Sequence, residues 1–304
     1  MRMLQAPTEG PFYMVNLIEY RDQAVYADGR ETDLTGREAD ALYAPREYLA
    51  AVGAQQVFMG EVTETTLGEE KWDRIAIVEY PCPIASFAMA ADPGFQEHSQ
   101  HKDAALESSI IMVTHVQPLD PVGALVAPYP ATDDDPSFEL VQIFRYQEEA
   151  QYDADLAEPS RSGHQAMDLY RSTVHDAERA LGIYPTAQLD VEGVQTGDGR
   201  DWDAVWISHV PSQAAWDALL ADPTVVAAQV HRQDLAPALP GPDRPPDDGL
   251  EVGVELPDPL VRDPVLAGHR GEDVAGRLLA RVVADAPVRV FRDLQPGEQR
   301  ISEC

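Results

Sequence analysis

Two histidines, His101 and His231, recur 130 residues apart, each followed by a basic residue, Lys102 or Arg232. His98 lies one helical turn before His101, and Asp103 follows two residues after it. Histidine titrates near neutral pH, so His101 with Asp103 could serve as a general acid and base. The His98–His101 spacing could also begin a metal site with Glu97 or His115, but no partner spacing completes it, and we expect no metal. The structural alternative has His101 capping its helix or packing on Trp72. A second set of candidates interrupts stretches that otherwise read as strands. Asn16 and Tyr20 match Gln142 and Tyr146. A mid-strand amide is disfavoured, and a buried one needs partners, so it either bonds within the fold or orients an oxygen of a bound molecule. A tyrosine there is an aromatic wall with a proton-donating tip. In a later strand Arg74 and Tyr80 stand where the other copy has Ala204 and Val210, while Trp206 and Ser208 replace Ala76 and Val78.

These residues sit in an internal repeat. The stretch from Trp72 to Leu106 aligns without a gap on that from Trp202 to Ala236, with ten of thirty-five positions identical, among them Trp72/Trp202, Asp73/Asp203, Pro81/Pro211 and Asp92/Asp222. Upstream, Met14 to Tyr20 resembles Leu140 to Tyr146. In the first copy the pattern predicts strands over Phe12 to Tyr20, Gln55 to Thr63, Trp72 to Tyr80 and Ser109 to Val116. Helices are predicted over Arg37 to Val52, stopped by Gly53, over Pro81 to Ala91, and from the Asp92-Pro93 cap to about Leu106. The order βαββαβ is that of a ferredoxin-like unit. In the second copy the last strand is displaced, with Leu250 to Leu256 the best candidate. The expected fold is α+β: residues 1–117 and 137–256 as two ferredoxin-like units, joined by a proline- and aspartate-rich linker over 118–136 and followed by an extension over 257–304. Within that extension Val274, Leu278, Leu279, Val282 and Val283 have helical spacing, and Pro287 to Leu294 could form a strand.

Such a unit has helices on one face of its sheet only, so two units placed face to face would enclose a pocket between the sheets. Alternation then divides the residues. Val15, Leu17, Ile75, Ile77, Val141, Ile143, Val205 and Ile207 are expected beneath helices. Asn16, Tyr20, Arg74, Tyr80, Gln142, Tyr146, Trp206 and Ser208 are expected to face the pocket.

The 304 residues carry 22 Lys+Arg against 53 Asp+Glu, a net charge of −31. An acidic field repels polyanions, which argues against nucleic acid and anionic membranes as partners. Cys82 and Cys304 cannot make a disulfide framework or a zinc site. Residues 1–10 lack the apolar core of a signal peptide and no long apolar run occurs, so a cytoplasmic location is expected. There is no GxGxxG, phosphate loop or Gly-x-Ser-x-Gly elbow, and no cofactor is expected from the residues. Asp133-Asp134-Asp135 reads as a solvated linker.

The strings Met14 to Arg21, Tyr26-Ala-Asp-Gly-Arg-Glu31, Gly36-Arg-Glu, Trp72 to Pro81, Met89 to Phe95 and His101 to Leu106 resemble the DUF1330 family of uncharacterised proteins. That resemblance covers nearly all of residues 11–117 and, more faintly, 137–236. It implies the dimeric α/β-barrel fold, here as a pseudo-dimer within one chain, with a further homodimer left open. The superfamily includes cofactor-free monooxygenases, muconolactone-type isomerases, aldoxime dehydratase-like and chlorite dismutase-like haem proteins, and ligand-binding regulators, so fold analogy selects no chemistry. Two readings follow. One is an enzyme for a small apolar metabolite, with His101, Tyr20, Arg74 and Asp103 in catalysis and Asn16, Tyr80, Gln142, Tyr146, Trp206 and Ser208 around the substrate. The other is a ligand-binding or accessory protein of the same fold. A pocket packed solid would favour the second.

Overall fold

The computed structural model describes residues 10–67, 71–152, 156 and 158–232, together with the backbone of 277–284. In chain order the elements are β1 Phe12–Tyr20, α1 Gly36–Tyr43, α2 Arg46–Ala51, β2 Gln55–Leu67, β3 Arg74–Tyr80, α3 Pro83–Ala91, α4 Pro93–Ala105 and β4 Leu106–Val116. They continue with β5 Phe138–Phe144, α5 Gly163–Ala180, β6 Tyr184–Thr196, β7 Ala204–Val210, α6 Gln213–Leu220, α7 Pro223–Ala228, a 3-10 turn over Gln229–His231, and β8 Arg277–Ala284. The fold is mixed α+β. The strands form one closed antiparallel barrel in the order β1-β3-β2-β8-β5-β7-β6-β4. No described helix is long and apolar enough to cross a membrane.

Local chemistry accounts for the elements. Thr35 and Glu38 form a reciprocal capping box at the start of α1, and Ser162 and Gln165 do the same for α5. The helix expected as one piece over Arg37 to Val52 is broken, because Ala44 turns left-handed at φ 33° before Pro45. Gly53, at φ 72°, then stops α2. Gly36 lies so close to the Arg21 and Ala105 carbonyls that a Cβ there would stand 2.4 Å from Ala105 O. Asp92 accepts from Phe95 N and caps α4, as its sequence position implied. Asp135 of the acidic triplet accepts from the Gln213 and Ala214 amides at the start of α6, so it favours the positive end of that helix. Cys82, before α3, is 1% exposed.

The expected assignment of faces is reversed. Val15, Leu17, Ile75, Ile77, Val141, Ile143, Val205 and Ile207 form one apolar cluster with Tyr13, Ile110, Met112 and Leu189, drawn from both halves of the chain. This cluster is the barrel interior. All eight of the named aliphatic residues are fully buried, each stabilising the fold by roughly 1.5–3 kcal/mol. The alternate faces pack under helices: Phe12, Met14 and Tyr80 with Leu49 and Met89, and Phe138, Phe144 and Trp206 with Met167, Val174 and Leu219. Alternation separates the two sets but does not say which points inward. An eight-stranded barrel is only wide enough for its side chains to fill, and the aliphatic set fills it. The space between the sheets is therefore core.

The C-terminal expectation is also corrected. Residues 277–284 form a strand where a helix was expected. The spacing of Leu278, Leu279, Val282 and Val283 suits a helix face, but β2 and β5 each present an open edge, and β8 pairs with both. Two ladders of hydrogen bonds outweigh a helical preference already weakened by two β-branched valines. Leu250 to Leu256 and Pro287 to Leu294 lie outside the described residues.

Candidate active site

The polar residues displaced from the barrel interior gather beneath the helices, and in the first half several of them meet. Tyr20, at the end of β1, points toward α1, where its hydroxyl donates to Asp40 Oδ2 at 2.7 Å. Arg74, at the start of β3, reaches the same oxygen at 3.4 Å and donates from Nε to Glu61 Oε1 at 2.7 Å. Arg37 closes the outer side by pairing with Glu61 and Asp73. Asp73 Oδ2 in turn accepts from Tyr20 N, which fixes the end of β1 against the turn before β3. The Asp40 side chain is 12% exposed and that of Arg74 23%, so the cluster is mostly enclosed yet reaches solvent on the Arg74–Glu61 side. Burial, then the Asp40 charge and hydrogen bond, push the Tyr20 phenol far above its ordinary pKa, so it stays a proton donor.

Lys102, on α4, faces this group from above. Its ammonium lies over the Tyr43 ring, 5.6 Å from the centroid. It makes no hydrogen bond or ion pair with a described residue. Burial lowers its pKa, with Asp40 and Asp103 acting in the opposite sense from a distance. Tyr43 is raised by burial and by the neighbouring Tyr80, Asp40 and Asp103. Tyr80 is pushed up to about 12 by burial, with its hydroxyl against Met89 Sδ at 3.8 Å. Asn16 is 8% exposed and donates to the Met14 and Ala76 carbonyls, so its amide is held by the fold.

His101 stands elsewhere. Its Nδ1 is 2.6 Å from the Tyr26 hydroxyl, and Arg30 lies over the Tyr26 ring at 3.6 Å. Burial, with Arg30 and His98, lowers its pKa. It makes no bond to Asp103, which is exposed on the outer side of α4. The second copy repeats the arrangement, with the Tyr152 hydroxyl 3.0 Å from His231 Nδ1 and Arg161 donating to that hydroxyl at 3.2 Å. A pairing present in both halves ties each loop after the first strand to the segment that carries the matched histidine, α4 in the first half and the 3-10 turn in the second. His98 packs on Tyr48 instead, at 5.4 Å between ring centroids. Among the described residues no three metal-ligating side chains gather.

The corresponding space in the second half is filled. Trp206 is 9% exposed, edge-on to Phe144 at 4.7 Å and covered by Arg171 at 4.4 Å. Arg232, in the place of Lys102, donates to Gln142 Oε1 at 3.2 Å. Tyr146 packs on Phe144 and His164, and Ser208 lies on the same face of β7 as Trp206. Glu178 on α5 is pushed up to about 7 by burial, despite Arg171 and Arg232. Thus Tyr20 and Arg74 are brought together, while His101, Asp103 and the second-copy residues are not part of that group. Sequence reasoning missed Asp40, Tyr43 and Lys102. The signal available was that Lys102 is one of only two lysines and follows the matched histidine.

A separate cleft of about 740 Å³ opens at the barrel end, lined by Trp72, Asp103, Ser108, Thr196 and Arg200 among others.

Comparison with known proteins finds similar solved structures. No protein-family model and no curated protein matches the chain. It is similar to a protein of unknown function. That protein, from Rhodopseudomonas palustris, is 32% identical over 40% of this chain and 91% of its own, with a TM-score of 0.35. An anthrone oxidase-like protein is 11% identical over 90% of this chain and 92% of its own, at a TM-score of 0.44. A mutant chlorite dismutase from Candidatus Nitrospira defluvii is 10% identical over 96% and 98%, at 0.42.

Proposed function

We propose that the protein is an enzyme that moves a proton on a small, mainly apolar molecule, at the cluster beneath α1 and α4. The observation that carries this reading is Lys102, a partly buried lysine with no ion-pair partner among the described residues, its ammonium over the Tyr43 ring and within the field of Asp40. An amine in that position is a free base nearer neutral pH than an ordinary lysine, and on accepting a proton it becomes the cation that stabilises the anion it has made. Tyr20, held protonated beside Asp40, is the matching donor. Arg74 fixes Asp40 in place. The net charge of −31 supports a small-molecule partner over nucleic acid or an anionic membrane.

We infer further that the chain is a duplicated ferredoxin-like unit, paired with itself as a dimeric α/β-barrel and related to the DUF1330 family. Matched bonds support this: Val15 pairs with Ile77 as Val141 does with Ile207, and Tyr20 N donates to Asp73 as Tyr146 N does to Asp203. The first unit spans 1–117. The second runs from 137, after the 118–136 linker, and takes 277–284 as its closing strand.

The test is exchange of acidic C–H hydrogens for deuterium, followed by nuclear magnetic resonance over a panel of apolar carbonyl compounds and phenols. The protein should accelerate exchange in one class, and Lys102→Met should lower the rate about 100-fold or more. Equal rates in both proteins would overturn the assignment. A ligand-binding or accessory role is the second reading, and it is favoured by the packed barrel interior and by Trp206 filling the second half. Binding of a panel compound without exchange would support it.

A further inference from the structure

Helix α3 is apolar on every side. Its nine residues, Pro83–Ala91, include no charged side chain, whereas α1, α4, α5 and α6 each carry at least one. One face is covered by the fold: Ser86 and Met89 are buried, and Met89 packs among Phe12, Leu49 and Tyr80. The opposite face is open. Ile84 is 56% exposed and Phe87 45%, with Ala88 and Ala91 exposed beside them. These four positions have the i, i+3, i+4, i+7 spacing of a single stripe, and a helix that is hydrophobic all round is one that is covered all round. The matched helix of the second copy, α6, shows an ordinary solvated face at the same place. There the four residues are Ala214, Asp217, Ala218 and Ala221, and Asp217 accepts from Gln213.

The order of sizes along the α3 stripe says what fits it. Two large side chains, Ile84 and Phe87, are followed by two small ones, Ala88 and Ala91. Turned end for end and laid on itself, the stripe sets large against small throughout, Ile84 over the partner's Ala91 and Phe87 over the partner's Ala88. Charge favours the same occupant. Two copies at −31 each repel wherever their acidic faces meet, so an uncharged helix is where they approach at least cost.

We propose that α3 is the contact of a homodimer, in which two copies of this chain pack α3 antiparallel on α3 across a two-fold axis. A helix of nine residues is only about 13 Å long, so the interface is small and the association weak, setting in at roughly 10–100 μM protein. Salt should strengthen it by screening the repulsion between copies.

The test is light scattering of the full-length protein over about 5–500 μM, at about 0.05 and 0.5 M sodium chloride. The mass should rise from 33.4 kDa toward twice that value, and further at high salt. Phe87→Asp, which gives α3 the residue type that α6 has, should stay monomeric throughout. Ala88→Phe adds apolar surface but sets two large side chains face to face, and should weaken the dimer about tenfold or more. Both changed positions are exposed, so both variants should match the wild type by circular dichroism. A wild-type protein that is monomeric at the highest concentration and salt would overturn the proposal. Association that persists in Phe87→Asp would place the contact elsewhere, and association that falls with salt would make it an ion-paired one, each against the proposal. Tighter association of Ala88→Phe would show a merely adhesive face and would overturn the paired stripe.

Discussion

The Tyr20 hydroxyl and the Asp40 carboxylate are 2.7 Å apart, and Arg74 reaches the same carboxylate oxygen from the other side. One acid on α1 thus joins the end of β1 to the start of β3, and the helix layer is keyed to the sheet through a polar contact within an otherwise apolar interface.

Asp40→Ala should leave the phenol and the guanidinium without that acceptor, at a cost of about 1–3 kcal/mol. Tyr20→Phe removes a donor while Asp40 keeps Arg74, and should cost about 1 kcal/mol. A double-mutant cycle followed by urea unfolding should return a coupling of about 0.5–3 kcal/mol between the two positions. Additive losses would show that the bond contributes nothing of its own.

How much of this was open to sequence reasoning depends on which physical constraint was needed. β1, β3, α4 and the Asp92 cap follow from local pattern, because alternation, Pro93 and the capping aspartate act within a few residues. The matched Tyr20/Tyr146 and Asp73/Asp203 positions share a strand-end contact, a backbone amide bonded to a carboxylate, which the repeat alone did not disclose. The inward face was not legible, since Val15 and Asn16 alternate equally well either way and only closure of the barrel decides between them. Asp40 and Lys102 lie 62 positions apart on two helices and carry no mutual spacing signal. They come together only because Gly36 lets α1 approach Ala105 at the end of α4.

Lys102 should make stability depend on pH. Burial places its folded-state pKa below the ordinary 10.5, so above that lowered value and up to about 10.5 the unfolded chain binds the proton that the folded chain has released. Stability from this group therefore rises with pH through that window, and its penalty is complete below the folded value. Lys102→Met removes the term. Its midpoint in thermal unfolding should exceed that of the wild type most at pH 6 and converge on it toward pH 10.5; a constant difference would contradict the burial argument.

Glu178 gives the opposite slope. Its carboxyl is pushed up from 4.5 to about 7 by burial, so between those values the folded protein binds a proton that the unfolded chain has lost. Stability falls as pH rises from 4.5 to 7, and above 7 the full cost of a buried carboxylate remains. Glu178→Gln should flatten this part of the profile and stabilise the protein at pH 8 by about 1–3 kcal/mol. If Arg171 and Arg232 compensate the charge fully, the variant will instead be less stable at pH 8.

Val282 is paired on both sides, with Val62 of β2 and with Glu139 of β5. A proline cannot donate to either ladder, and a central strand has no solvent-facing edge to accommodate it. Val282→Pro should therefore cost about 3 kcal/mol or more and leave the β2 and β5 edges unpaired. Open edges of this kind recruit strands from other chains, so the variant should form larger species on size-exclusion chromatography at concentrations where the wild type does not.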